Sequence, residues 1–510
     1  MLENPGITSI SISGGGPKGA GHVGALAALN AFGIMRGVRH VYGTSVGALI
    51  GVLLAVGMTA EQLEELVKEQ DFKKLLDDEP TFLGNSGAPI IKMLNTHIVR
   101  QLLLALGEYS QDLSVRHIKN RDLIRNILGR HNIAIPVVGS PFVAFVAAEG
   151  DLAQKALNFT FKDLLTLSRD DPVRFKLFST NAVRASHPSG PLQPCIFNHA
   201  ATPAVKLVDA CRASASLPKV LKPHEIGGVL YQDGGTLENT LWIPAVNADK
   251  QLMLVFRDPN SVDLLNAWEC WYANRTPENK KKYEETHLKY GRVNRAVRNY
   301  AAYHAFPDKA QEDPRSMVEI RENGLRALLD KRPNSVLIVD TPGITSTDFN
   351  KAKNKAEFLF LYNYFSTATA LVKKRLGAVP RAEGDVDDEA YKKRIELGMF
   401  LLKHFKAAGG ESAKVFNQKQ NDMLAICRTL MNTRVASAVA FRAYVNKCAE
   451  RRNTWDPSET RSISLMREMG REKSLPQFLK DLVVDVTRSN RPQLAFVKQA
   501  ARDNLLGLQR

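Results

Sequence analysis

VYGTSVGALIGVLLAVG, residues 41–57, decides how the rest of the chain is read. A short run with strand character, VRHVYG (38–43), ends in Gly43-Thr44-Ser45-Val46-Gly47 and passes straight into an apolar run of helical pattern. This is G-x-S-x-G between a strand and a helix, the pattern of a nucleophile elbow. Such a turn lifts a serine hydroxyl off the end of a sheet with a helix N-terminus behind it. Ser45 is the candidate nucleophile, and Gly43 and Gly47 support the turn. An alcohol is a weak nucleophile until a neighbouring base takes its proton, so the rest of the chain has to supply one.

Upstream, ITSISIS (7–13) is β-branched with period two, GGGPKG (14–19) is a loop, and AGHVGALAALNAFG (20–33) is a small-residue helix. With the elbow this makes β-loop-α-β-turn-α, which predicts an α/β sheet with parallel strands. Gly14, Gly15 and Gly16 let the backbone approach a ligand and aim N–H groups into a concavity at a helix N-terminus. Lys18 and Gly19 complete the loop. The same letters fit G-x-G-x-x-G, the dinucleotide fingerprint, which expects an acid at the end of the second strand. Here that strand runs into the serine turn without one.

Downstream, YQDGGTLENT (231–240) places Asp233 after the apolar strand GGVLYQ and before Gly234 and Gly235. Asp-Gly is a common tight-turn signature. Asp233 is also the candidate base, provided its carboxylate comes within hydrogen-bond reach of the serine and is partly desolvated, which raises its basicity. The glycines let this strand end approach the elbow. A Ser-His-Asp triad in α/β-hydrolase order needs a histidine after the acid. His287, His304 and His404 follow Asp233, none in an evident strand-end loop, and His22 reads as a packing residue of its helix.

A chain of 510 residues exceeds one ordinary core and predicts two or more domains. Its apolar content of 44% and charged content of 24% are those of a globular protein. Five scattered cysteines show no metal-ligand spacing and predict reduced thiols rather than disulfides or zinc. MLENPGITSISIS lacks the basic and apolar regions of a signal peptide. Val46 to Met58, the longest apolar run, is too short to span a bilayer. The net charge of +16 is uneven: residues 1–350 hold 39 basic against 36 acidic side chains, and residues 351–510 hold 30 against 17. A basic segment favours an anionic partner, whether an acidic lipid surface, nucleic acid or an acidic protein. No nucleic-acid-binding module is evident.

Along the chain, TAEQLEELVKEQ and IVRQLLLALG read as helices, and RFKLFSTNA, CIFNHA, VLYQD, QLMLVF and SVLIVD as strands. Residues 264–330 read as a polar and aromatic helical insertion. Strands stop near Asn350. LPQFLKDLVVDVT and LAFVKQAARDNLLGLQR, near the end, read as amphipathic helices with basic faces, a pattern that can lie on an anionic interface or pack in a helical bundle.

Taken together, SISGGGPKGAGHVGAL, YGTSVGALIG and DGG resemble the patatin-like phospholipases. TPAVKLVDACRASASLPKVLKP is similar to that family's Arg-Ala-Ser-x-x-x-Pro segment. NFTFKDLL, KLFSTNA and TPGITSTDF extend the likeness over roughly residues 5–370. The resemblance implies a three-layer α/β/α catalytic domain with a mainly parallel sheet, spanning residues 1–375. It implies a phospholipase A or lysophospholipase with Ser45 as nucleophile, Asp233 as base, the amides of Gly14, Gly15 and Gly16 as oxyanion hole, and Lys18 in the family's basic position. No metal or other cofactor is expected. The basic all-α segment 376–510 is similar to the targeting domains of bacterial patatin-like effectors. That leaves open a second reading, a membrane- or partner-binding effector whose hydrolase domain is inactive until a host protein engages it, working at a peripheral, anionic phospholipid surface after export into a host cell by a dedicated secretion system; a cytosolic enzyme fits the same sequence.

Overall fold

The computed structural model describes residues 6–76, 84–109, 114–131, 133, 156–184, 193–241, 250–257, 262–289, 328–330, 332–380, 388–404 and 413–431. The chain divides into two compact units, Glu3–Phe360 and Leu361–Arg510 with Met1–Leu2.

The first unit is built on an eight-stranded sheet. Its strands are β1 (Ser9–Ile12), β2 (His40–Gly43), β3 (Leu177–Arg184), β4 (Gln193–Phe197), β5 (His224–Ile226), β6 (Val229–Asp233), β7 (Gln251–Phe256) and β8 (Val336–Val339). The order is β5-β6-β3-β2-β1-β7-β8, with β4 also paired to β3. The five strands from β3 to β8 run parallel, whereas β4, β5 and β6 are antiparallel additions. Every residue of β1 and of β7 is buried. Parallel strands need crossover helices, and these cover both faces. The strand β5 has no counterpart in the sequence reading. It has three residues and joins β6 through Gly227 and Gly228, both at positive φ, the geometry of a two-residue hairpin.

Helices α1 (Gly19–Ala31), α2 (Val46–Ala55), α3 (Ala60–Glu69), α4 (Ala88–Tyr109), α5 (Val115–Gly129), α6 (Phe161–Asp170) and α7 (Leu207–Ser214) follow in chain order. All ten residues of α2 are buried, as expected of a helix apolar all round. Capping boxes start α3 and α6: Thr59 and Gln62 exchange hydrogen bonds of 3.0 and 3.3 Å, and Thr160 and Asp163 of 3.0 and 3.2 Å. Each satisfies two otherwise orphaned amides.

The described part of the 264–330 insertion is helical, as α8 (Val262–Ala273) and α9 (Pro277–Lys289). Trp271 stacks on Tyr283 at 5.1 Å between centroids. Arg257, just after β7, reaches Glu269 of α8 at 2.6 Å and Asp340 after β8 at 2.5 Å, which ties the insertion to the sheet ends. From Phe349 onward every described element is a helix: α10 (Phe349–Lys374), α11 (Asp388–His404) and α12 (Ala413–Met431). In the second unit α11 packs on α12, and the hydroxyls of Tyr364 and Tyr391 meet at 3.1 Å. The two amphipathic segments near the C-terminus lie outside the described residues. Among the described residues no helix is long and apolar enough to cross a membrane.

Register positions the site. Ile12 pairs with Gly43 and with Leu254, Gly43 with Thr180, and Ala182 with Asp233. The glycine loop, the elbow and Asp233 thus meet at the carboxyl ends of the parallel strands, where open α/β sheets bind ligands. The close fit of α1 gives a test. A Cβ at Gly24 would overlap the backbone carbonyl of Phe360. Gly24→Ala is expected to cost about 1–3 kcal/mol through overpacking, read as a thermal midpoint several degrees lower by circular dichroism.

Candidate active site

The elbow is shaped by two close approaches. A Cβ on Gly47 would overlap the carbonyl oxygen of Ile12, and one on Gly43 would overlap that of Gly47. Only hydrogen fits where α2 starts against β1 and β2. Ser45, the N-cap of α2, is held at φ 53° and ψ −124°, a backbone state that costs a non-glycine residue about 1–3 kcal/mol and persists only when its surroundings enforce it. The Ser45 amide donates to Ser214 Oγ at 2.9 Å. Thr44 Oγ1 donates to Asn181 Oδ1 at 2.8 Å, and Asn181 Nδ2 donates to the Glu238 carbonyl at 3.0 Å. These bonds tie the elbow to α7, to β3 and to the loop after Asp233.

Ser45 Oγ donates to Asp233 Oδ2 at 2.6 Å, across 188 residues of sequence. The other carboxylate oxygen accepts the Gly235 amide at 2.7 Å, and the Asp233 amide donates to the Ser216 carbonyl at 3.0 Å. Gly234 lies against Asn181, 2.5 Å from its carbonyl to a built Cβ, so a side chain there would push the acid away from the elbow. The end of α7 and the turn after it therefore touch both Ser45 and Asp233, through Ser214 and Ser216. Buried Arg212 braces it, donating to Ser216 Oγ at 2.6 Å and to the carbonyls of Ser86 and Lys222 at 2.7 and 3.0 Å.

The glycine loop faces the elbow. The Gly14 amide donates to the Asn239 carbonyl at 2.9 Å, and Asn239 Nδ2 returns a bond to Gly14 O at 3.1 Å. No acceptor among the described residues stands opposite the amides of Gly15 and Gly16. Gly16 takes φ +57°, and a Cβ there would overlap the carbonyl of Ser346 in the TPGITSTDF segment. The Phe256 ring fills the place of a Gly15 side chain, with Lys18 Nζ at 5.0 Å from the ring centroid. Lys18 is only 1% exposed, which makes it part of the loop's underside. Gly19 lets α1 approach Val46, 3.0 Å from a built Cβ.

His22 packs on Phe256, the rings tilted and their centroids 3.8 Å apart, and hydrogen-bonds Ser13 O at 2.8 Å through Nε2. Burial, opposed in part by the Ser13 bond and aided by Lys18, lowers its pKa to about 3, so it is a neutral packing group. His304 and the side chains of His287 and His404 lie outside the described residues. Among the described residues no cluster of three or more His, Cys, Asp or Glu side chains could hold a metal.

Ser45 opens onto an apolar cavity bounded by α2, α3, α4 and the segment after α7. Val46, Leu49, Ile50 and Leu53 line it along one stripe of α2, opposite Leu63 and Val67 of α3. A buried serine–carboxylate pair beside an apolar cavity, next to a glycine loop with two amides that have no acceptor among the described residues, is an arrangement suited to attack on an ester whose apolar part enters the cavity.

Of the residues expected at the site, Ser45, Asp233 and the glycines come together. Ser214, Asn181, Asn239 and Phe256 were not singled out. Ser214 and Asn181 lie within the segments CRASASLP and KLFSTNA; Asn239 and Phe256 carried no signal of their own.

Residues 10–246 match the family model of patatin-like phospholipases. An uncharacterized protein of Bacillus subtilis (strain 168), YqhO, is 41% identical over 240 residues, 45% of this chain and 64% of that protein. The chain thus spans a little under two thirds of the length of that relative. Two solved structures align over more of the chain at low similarity. VipD of Legionella pneumophila has a TM-score of 0.42 at 16% identity, over 90% of both chains. ExoU, from its complex with SpcU from the type III secretion system of Pseudomonas aeruginosa, has a TM-score of 0.33 at 17% identity, over 98% of this chain and 90% of that one.

The burial of His22 sets a pH dependence. Its folded pKa, about 3, lies below the ordinary value of 6.5, so below pH 6.5 the unfolded chain binds the extra proton. Stability is lost as pH falls from 6.5 toward 3, at about 1.4 kcal/mol per pH unit for this one group. His22→Gln is expected to flatten the pH dependence of the unfolding midpoint by that amount between pH 6.5 and 4.5.

Proposed function

We propose, from the match of residues 10–246 to the patatin-like phospholipases, that this chain is a lipid acyl hydrolase of the phospholipase A or lysophospholipase type, working through Ser45 and Asp233. The observation that carries the reading is the 2.6 Å hydrogen bond from Ser45 Oγ to Asp233 Oδ2 at the mouth of an apolar cavity.

Ser45 Oγ attacks the ester carbonyl while its proton passes to Asp233 Oδ2. The carbonyl oxygen becomes an oxyanion and accepts hydrogen bonds from the amides of Gly15 and Gly16. Donors of this kind contribute about 3–4 kcal/mol each to the transition state. Collapse of the intermediate expels the alcohol, which takes the proton from Asp233 and leaves an acyl-serine. Asp233 then deprotonates a water, which attacks the acyl carbonyl, and Ser45 departs with its proton restored. Gly235 steadies the carboxylate throughout by its bond to Oδ1.

The domain assignment that goes with this reading is residues 1–375 for catalysis and 376–510 for targeting. The charge distribution favours a second role beside hydrolysis. Residues 351–510 carry 30 basic against 17 acidic side chains, which suits docking on an anionic lipid surface that weakens as salt screens it. A protein activator of the host cell fits the same scheme.

The test is fatty-acid release from mixed phospholipid vesicles by the full chain, with and without a eukaryotic cell extract. Ser45→Ala is expected to reduce release to background, and Asp233→Asn to lower it by about 10²–10⁴-fold, the usual contribution of a positioned base. Release undiminished in Ser45→Ala would sink the mechanism. In a parallel measurement, wild type is expected to sediment with anionic vesicles at low salt and to leave them at high salt. Equal binding to zwitterionic vesicles would argue against charge-driven docking.

A further inference from the structure

The cavity has a direction. Ser45 caps α2, and Val46, Leu49, Ile50 and Leu53 follow at the spacing of one helical stripe. At 1.5 Å per residue, Leu53 lies about 12 Å along the helix from the nucleophile. The turn from α2 to α3 is four residues long, so α3 folds back and sets Leu63 near the C-terminal end of α2. Exposure follows the same axis. Leu53 and Leu63 are 1% and 0% exposed, whereas Gln70, Met93 and Phe349, also in the lining, are half-buried. Along the α2 stripe and α3, burial of the lining is thus deepest at Leu53 and Leu63, the end away from Ser45.

We propose that Leu53 and Leu63 form a floor that measures acyl-chain length, so that this site selects medium-length acyl groups. The inference rests on the acyl-hydrolase reading and adds a specificity to it. An acyl chain whose carbonyl sits at Ser45 runs down the α2 stripe with its methyl end toward the floor. The α2 stripe from Ser45 to Leu53 runs about 12 Å, and a chain that fills one leaflet of a hydrocarbon core about 30 Å thick needs about 15 Å. Shorter chains leave the floor uncovered and forgo apolar burial. Full-length chains meet two fully buried leucines and must bend back toward the half-buried rim.

The experiment compares kcat/KM for p-nitrophenyl butyrate, octanoate, laurate and palmitate in wild type, Leu53→Phe, Leu53→Ala and Leu63→Phe. In wild type, kcat/KM is expected to rise about fourfold per added methylene while the chain extends through the slot. The rise should break between octanoate and palmitate. Leu53→Phe and Leu63→Phe raise the floor and move the break to shorter chains. Leu53→Ala lowers the floor and moves the break toward palmitate. Each value is taken relative to butyrate in the same variant, so a general loss of activity does not mimic the effect. A wild-type profile that climbs through palmitate overturns the floor without any variant having to fold, as does a break that stays in place in all three variants. Activity on no ester in wild type would overturn the hydrolase reading itself, which a misplaced break would leave standing.

Discussion

Helix α2 starts in direct contact with the sheet, and the site depends on that contact. Where Gly47 meets the carbonyl of Ile12, and Gly43 that of Gly47, no side chain fits. The chain must turn from strand to helix within two residues, Thr44 and Ser45. The turn forces Ser45 into a left-handed backbone state, and its side chain leaves the sheet plane as a result. The same approach brings all ten residues of α2 under cover. One stripe of that helix then becomes the wall of the cavity Ser45 opens onto. The serine turn and the cavity wall are therefore set by a single steric constraint.

A strained turn needs outside support, and the polar network supplies it. Ser214 holds the Ser45 amide, Asn181 holds Thr44, and Ser216 and Gly235 hold Asp233. Nearly all of these groups are buried, where an unpaired polar atom costs about 1–3 kcal/mol, so each bond enforces its geometry strongly. The antiparallel strand β6 delivers Asp233 to the parallel part of the sheet. Without it, a carboxylate 188 residues from Ser45 would have no fixed path to the elbow.

The glycine loop illustrates how one motif divides its labour. Gly14 is bonded in both directions to Asn239 and anchors the loop. Gly16 bends beneath Ser346, and Phe256 occupies the space beside Gly15. Phe256 is the last residue of β7, and Arg257 after it is bonded to Glu269 of the insertion. The insertion is thereby linked to the loop through consecutive residues of one strand end.

Much of the site could be read before any coordinates. Strand-turn-helix order, the glycine spacing around Ser45 and Asp233 followed by two glycines all act within a few residues. Local sterics and hydrogen bonding therefore write them into the order of the letters. The short strand β5 escaped notice because three residues are too few to show a period. The functions of Ser214, Asn181, Asn239 and Phe256 were hidden for a different reason. Serine, asparagine and phenylalanine serve many purposes, and what selects one is a partner far away in sequence. Strand register alone decides that Ala182 faces Asp233 and that Ile12 lies level with Gly43. By itself the sequence determined that a serine would sit on a tight turn, with a glycine loop and an acid to complement it. Only the tertiary structure decided that the acid lies 2.6 Å from the serine, that Gly14 is already engaged, and that Leu53 and Leu63 line the same cavity as Ser45. Those are distances between segments remote in the chain, and they exist only once the sheet has aligned its strands.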